Sequence, residues 1–399
     1  MQNAVCGFFC LSTILSAGLS LPGCERVRCV EMKTLNQLLQ RELERLRNQY
    51  GFPGVTVAYV LSDGTVGDVA SGFADIEAQK PMTTKSRMLA ASIGKTFVAA
   101  TVVALAKEGR LHLDDLLSRW LSDYSWYSRL PNHETITLRH LLTHSSGLSD
   151  HVYTTNFPAL LSHRGFFVDS FFSPELLIEC ILDLAPLFEA GKGWAYTDTG
   201  YILLGLVIEA VSGSSYYEEL EMRFLKPLKL DMTSPSDRTA LPGLVAGYAA
   251  QDNVFGFPGK TVDESGTLAW NPIVEWTGGG LISTSRDLAV WAKLLYEGRA
   301  MQSDYLTDLF QSVPTSDDAS KARYGAGVLI EQKNRFGQRW GHGGVIPGYS
   351  SSMRYYPQYG IAVAFQMNTD SGISAFASDI EDRLADIIIN YKQGKGDGI

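Results

Sequence analysis

The stretch Ala91-Ser92-Ile93-Gly94-Lys95-Thr96-Phe97 places a hydroxyl three residues before an amine and then runs directly into apolar sequence. A chain of this composition yields roughly one Ser-x-x-Lys by chance, so the pattern alone distinguishes nothing. Downstream, Phe97, Val98, Thr101, Val102 and Leu105 recur at helical spacing and Gly109 ends the pattern, which predicts a helix over Ser92–Glu108. Ser92 at its first turn has two readings. One is an N-cap whose hydroxyl accepts an orphan backbone N–H. The other is a nucleophile with its base, since residues three apart share a helix face. A free lysine, with a pKa of about 10.4, holds its proton at neutral pH. Apolar and cationic surroundings lower that value and make the amine a usable base, while the helix N-terminus can stabilise a developing oxyanion.

Outward from this segment, Met32–Tyr50 is a charged, helix-forming stretch, and Gly51–Gly54 break it. Val55–Val60 reads as a strand, with Val66–Ala70 its hairpin partner across Asp63-Gly64. From about Leu111 to Asn271 the pattern is mainly helical, interrupted by Pro-, Gly- and aromatic-rich loops. A helix over Thr284–Tyr296 then precedes short strands at Gly325–Ile330, Phe336–Trp340, Ser350–Tyr355 and Ile361–Gln366, and an amphipathic helix over about Ser374–Lys392 closes the chain. There is no internal repeat. The expectation is one α+β domain over residues 31–399, in which strands from both ends form one antiparallel sheet around a helical lobe at about 111–271.

With 399 residues the chain has ample sequence for a core. Its formal net charge of −9 comes without a Lys/Arg cluster, which argues against a nucleic-acid partner. Cys6, Cys10, Cys24 and Cys29 lie in the first thirty residues and only Cys180 follows, so the main body holds no internal disulfide. Residues 1–30 read as an export signal with a short tether. The apolar run Gly7–Leu21 is too short for a comfortable membrane span and ends in Leu21-Pro22-Gly23-Cys24, similar to a lipoprotein cleavage box that would lipidate Cys24. The alternatives are a buried N-terminal helix or a misassigned start codon. The expected location is periplasmic or cell-envelope.

Two further segments offer partners to Ser92 and Lys95. Gly193-Trp194-Ala195-Tyr196-Thr197-Asp198 leads into an amphipathic helix over Ile202–Ala210, and Tyr196 there can share a proton with Lys95. Trp340-Gly341-His342-Gly343-Gly344-Val345 is Gly-dense, read either as turns between strands or as room for a ligand to approach. A zinc site on His140, His144 and His151 is disfavoured because no Glu completes an H-E-x-x-H pattern, so neither metal nor cofactor is expected. No Gly-x-Ser-x-Gly occurs, which argues against an α/β-hydrolase.

The order ASIGK, YTD, HGG resembles the serine beta-lactamase and penicillin-binding-protein superfamily, and within it the class C-like serine hydrolases. GFADIEAQKPMT, LRHLLTHSSGL, LVAGY, GGLISTSRDLAVWAKLL, YGAGV and GHGGVIPGYSS with YYPQYGIAVAFQMN resemble the same family, over about Phe52–Asn368. The resemblance implies a beta-lactamase/transpeptidase-like fold and an acyl-enzyme on Ser92. Lys95 would be its proton partner and Tyr196 the general base, as a phenolate held by Lys95. The N–H groups of Ser92 and Val345 would form the oxyanion hole, with His342, Gly343 and Gly344 lining the site. Specificity would reside in loops such as Val152–Pro174 and Ala249–Pro272.

Two departures stand out. Asp198 replaces the family's usual Asn, and an ionised carboxylate cannot donate an amide hydrogen bond, which leaves it to hold Lys95 or to bind a substrate donor. His342-Gly343-Gly344 lacks the hydroxyl that many beta-lactam-binding relatives carry, so esters, amides or short peptides are the expected substrates. Beta-lactamase or D-Ala-D-Ala carboxypeptidase activity is the alternative. A catalytically inactive binding or sensor module is another, opposed by the joint presence of Ser92, Lys95 and Tyr196.

Overall fold

The computed structural model describes residues 22–163, 173–253, 255–256 and 259–394. Helix α1 (Pro22–Tyr50) contains Cys24 and Cys29, while the apolar run Gly7–Leu21 lies outside the described residues. After α1 come β1 (Gly54–Val60) and β2 (Val66–Asp75), then helix α2 (Gly94–Lys107). The helical lobe contributes α3 (Asp198–Ser212), and α4 (Ser285–Tyr296) follows it. Strands β3 (Leu329–Asn334), β4 (Gly337–Ile346), β5 (Tyr349–Tyr356) and β6 (Ile361–Met367) precede α5 (Ile373–Lys392).

Strands from both ends of the chain form one antiparallel sheet, as expected. Its order is Lys80–Pro81, β2, β1, β6, β5, β4, β3, Ala322–Tyr324, Val313–Pro314. Strand β1 pairs Val55–Val60 with Met367–Ala362 on one side and with Ser71–Val66 on the other. Being central, β1 is buried on both faces, and its residues alternate between two cores. Val55, Val57 and Tyr59 meet Leu35, Leu39, Leu43 and Leu46 of α1 and Ile380, Leu384 and Ile388 of α5. Ala58 and Val60 face the opposite core, which contains nearly all of α2. There Phe97 stacks on Trp291 with ring centroids 4.0 Å apart, and the Trp291 indole N–H donates to Thr96 Oγ1 at 2.8 Å.

Four local expectations require correction. Ser92 caps nothing. It sits inside a single 3₁₀ turn, Ala91–Ile93, that runs into α2, and Ala91 before it has a left-handed φ of 48°. The strand expected at Gly325–Ile330 begins only at Leu329. Gly327 approaches the Lys95 carbonyl so closely that a Cβ would lie 2.8 Å from it, which fixes a turn there. The helix expected from Ile202 starts at Asp198 because the Thr197 hydroxyl accepts the Thr199 N–H and caps it. The His342-Gly343-Gly344 segment lies inside β4 rather than between strands, and Gly344 shows why. A Cβ there would lie 2.3 Å from the Ala90 carbonyl, so only glycine lets this strand press against the turn that carries Ser92. Within the helical lobe a short hairpin, Tyr248–Ala249 with Gly259–Lys260, interrupts the helices.

Candidate active site

The geometry begins with a close approach of two backbones. Gly94 opens α2, and a Cβ on it would lie 2.9 Å from Gly279, so the Trp276–Gly280 turn packs directly on the Ser92 turn. That contact brings the Gly278 carbonyl onto the Lys95 ammonium, which donates to it. Lys95 is wholly buried, and its Nζ also lies 3.1 Å from Ser92 Oγ and 2.5 Å from Asp198 Oδ1. Its ammonium is 5.1 Å from the Tyr196 ring centroid and 5.6 Å from that of Tyr201. Burial alone would lower the Lys95 pKa. The Asp198 charge, aided by Tyr196, overcomes burial and holds it above the ordinary lysine value. Of the two roles open to Asp198, holding Lys95 is the one the geometry realises. Its place at the first residue of α3 also favours a negative charge.

The Tyr196 hydroxyl is buried within polar reach of Ser92 and Lys95, aligned with neither as a geometric hydrogen bond. Burial pushes its pKa up to about 12. The Lys95 charge opposes that shift and the Asp198 charge reinforces it, so at rest Tyr196 is a phenol. His342 lies on β4 with Nε2 2.7 Å from the Tyr324 hydroxyl, its ring 6.1 Å from that of Tyr196. Burial, then the Lys95 charge, lowers its pKa to about 3, which makes it a neutral wall. Strand β3 pairs with β4 only as far as Gly341, so among the described residues the backbone from His342 to Ile346 has no strand partner on that side. Gly343, Gly344 and Val345 line the cleft on that edge, and Val345 is 55% exposed.

Ser92, Tyr196, Asp198 and His342 thus open into one cleft of about 590 Å³. From the expected specificity loops come Val152, Tyr153, Ala250, Asp252, Asn253 and Phe255. Among the lining residues that a reading of the sequence misses are Asp150, Glu275, Arg354, Asp370 and Glu381. Burial, then the Asp198 charge, raises Asp150 to about 7 and Glu275 to about 8. Among the described residues no lysine or arginine forms an ion pair with either. Asp150 lies two residues beyond LRHLLTHSSGL and Glu275 three before the glycines at Gly278–Gly280, but neither position signals chemistry by itself. The three histidines weighed as metal ligands have separate partners. His140 Nδ1 accepts the Thr137 N–H, His144 Nδ1 accepts the Thr197 N–H, and His151 Nδ1 meets Thr199 Oγ1.

A family model described as Beta-lactamase matches residues 36–386. The chain belongs to the beta-lactamase family. It is a serine hydrolase of that family, with the fold the sequence resemblance implied. Penicillin-binding protein 4* of Bacillus subtilis (strain 168) is 26% identical over 336 residues, covering 80% of this chain and 68% of that protein. A D-aminopeptidase of Brucella anthropi is 27% identical over 355 residues, covering 88% of this chain but 62% of its own length, so the hydrolase spans less than two thirds of that relative. The solved D-amino acid amidase from Ochrobactrum anthropi SV3, complexed with L-phenylalanine amide, superimposes with a TM-score of 0.74 at 25% identity. That match covers 90% of this hydrolase and 99% of the amidase.

Proposed function

We propose that this hydrolase cleaves an amide or short peptide bearing a free amine beside the scissile carbonyl, through an acyl-enzyme on Ser92. One observation carries the reading: Asp150, Asp198 and Glu275 all line the cleft at Ser92, Lys95 pairs with Asp198 alone and the lining Arg354 with Glu381, so among the described residues no lysine or arginine is paired with Asp150 or Glu275. A substrate ammonium complements these carboxyls and draws them to their ionised form, whereas an anionic substrate, such as a beta-lactam with its carboxylate, raises them further and gains no partner there. The names of the relatives, a D-aminopeptidase and a D-amino acid amidase, support the same substrate class.

The chemistry follows from the charges. At rest Asp198 keeps the proton on Lys95, and Tyr196 is a phenol. A substrate ammonium among the carboxyls adds positive charge, which lowers the pKa of both groups, and Tyr196 gives its proton to solvent in the open cleft. The phenolate takes the Ser92 proton as Oγ attacks the carbonyl carbon. The N–H groups of Ser92 and Val345 receive the developing oxyanion. Tyr196 then gives the proton to the leaving nitrogen as the C–N bond breaks. In the second half Tyr196 takes a proton from water, and the ester bond to Ser92 breaks as the proton returns to Oγ.

Intact mass after exposure to a fluorophosphonate tests this assignment. One adduct on the wild type and none on Ser92→Ala is expected; no adduct on the wild type, or equal labelling of both, overturns it. The apolar run before Cys24 further supports a cell-envelope location with a lipid on that cysteine. Incorporation of radiolabelled palmitate that Cys24→Ser abolishes is the expected result, and unlabelled wild-type protein refutes it.

A further inference from the structure

His144 takes no part in the proton transfers above, yet it grips Tyr196 from both sides along the chain. Its carbonyl accepts the Ala195 N–H at 3.0 Å and its Nδ1 accepts the Thr197 N–H at 3.3 Å, so both neighbours of Tyr196 hang from one residue. Its ring lies against the Tyr196 ring, with centroids 4.2 Å apart and planes at 39°. Behind it stand Tyr324 and Tyr201, with centroids at 4.6 and 5.2 Å. The residue is fully buried, and it has a left-handed φ of 57°, which non-glycine residues seldom adopt. That backbone turn points carbonyl and side chain at the same three-residue segment. Because Nδ1 accepts a hydrogen bond, the neutral ring carries its proton on Nε2, which is buried with no acceptor among the described residues. Such an arrangement leaves a polar group unsatisfied and adopts an uncommon backbone conformation in order to place an acceptor at Thr197.

We propose that His144 is a positioning residue that fixes the Tyr196 hydroxyl between Ser92 and Lys95, an inference that rests on the Ser92 acyl-enzyme reading. Tyr196 stands on a loop between Gly193 and the start of α3, one residue before the Thr197 cap. A displacement of 1 Å at a proton-transfer group costs about 10²-fold in rate. Three requirements follow for position 144: an acceptor in place of Nδ1, tolerance of the left-handed backbone, and no charge beside Lys95. Asparagine meets all three. Phenylalanine keeps a ring but offers no acceptor.

The test compares wild type, His144→Phe and His144→Asn in two measurements: the rate of fluorophosphonate labelling of Ser92, resolved into KI and maximal rate, and deuterium exchange at the Thr197 amide. In H144F the maximal labelling rate is expected to fall about 10²-fold with KI unchanged, and Thr197 exchange to accelerate. H144N is expected to recover most of the rate and the protection. Labelling of H144F at the wild-type rate, or H144N as slow as H144F, overturns the proposal. H144G, which accepts the backbone but offers no acceptor, replaces H144F if that variant does not fold. Wild-type protein that takes no label refutes the Ser92 reading instead, and the Thr197 exchange series still decides the role of His144.

Discussion

On one side of the cleft Ser92, Lys95, Tyr196 and His342 are held by one another and by their surroundings. Lys95 touches Ser92 Oγ, Asp198 and the Gly278 carbonyl, and His342 is bonded to Tyr324. On the other side Asp150 and Glu275 face the same space, their carboxyls raised to about 7 and 8 by burial and by Asp198, with no lysine or arginine paired to either among the described residues. Folding completes the first wall. It leaves the second with two carboxyls that burial and Asp198 keep at least partly protonated near neutral pH, and a bound ammonium, which would ionise them, is the natural complement. Asp198 belongs to both walls, pairing with Lys95 while raising the two carboxyls beyond it.

Breaking the serine wall is expected to have the largest effect. Tyr196→Phe removes a hydroxyl in reach of both Ser92 and Lys95, and kcat/KM for an amino acid nitroanilide should fall about 10³-fold with the fold intact. A loss below tenfold would take Tyr196 out of the proton path.

Untying the two walls is expected to have an intermediate effect, read as a shift in pH. Asp198→Asn removes the anion that keeps the proton on Lys95, and burial then pushes the lysine down unopposed. The acid limb of kcat/KM for an uncharged nitrophenyl ester should move at least about one unit to lower pH. An upward shift would contradict the link.

The smallest effect belongs to the carboxylate wall alone and appears in stability. Glu275 has a folded pKa of about 8, above that of an exposed glutamate, so the folded state holds its proton more tightly than the unfolded chain. Its contribution is fully present below the ordinary carboxylate range and is lost as pH rises through 8. Glu275→Gln should therefore raise Tm at pH 9 and leave it nearly unchanged at pH 4. An equal gain at both would mean that ionisation is not the cause.

The two walls also differed in how well the sequence revealed them. Ser92 with Lys95, Tyr196 with Asp198, and His342 with its glycines are contiguous motifs whose chemistry depends on residue type and spacing, and all converge on the cleft. The central strands were legible because alternation and apolar runs report burial directly, as in Val55–Val60. Of strand β4 only the start was legible, at Phe336–Trp340; the rest was not, since glycines carry no side chain to alternate, and the reason for Gly344 lies on another segment at Ala90. Asp150 and Glu275 were invisible for the same kind of reason. A carboxylate's pKa depends on what folds around it, and these two are 125 positions apart in the 399-residue chain. His144 showed itself as an imidazole, but only the fold reveals that it serves Tyr196 rather than a metal.

The most direct test of the central claim compares a D-amino acid nitroanilide with its N-acetylated form, on wild type and on the Asp150→Asn, Glu275→Gln double variant. Wild-type kcat/KM should favour the free amine by about 10²-fold, and the double variant should lose most of that preference while still hydrolysing a neutral ester. Equal turnover of both nitroanilides by the wild type, or a preference that survives in the double variant, would contradict the account.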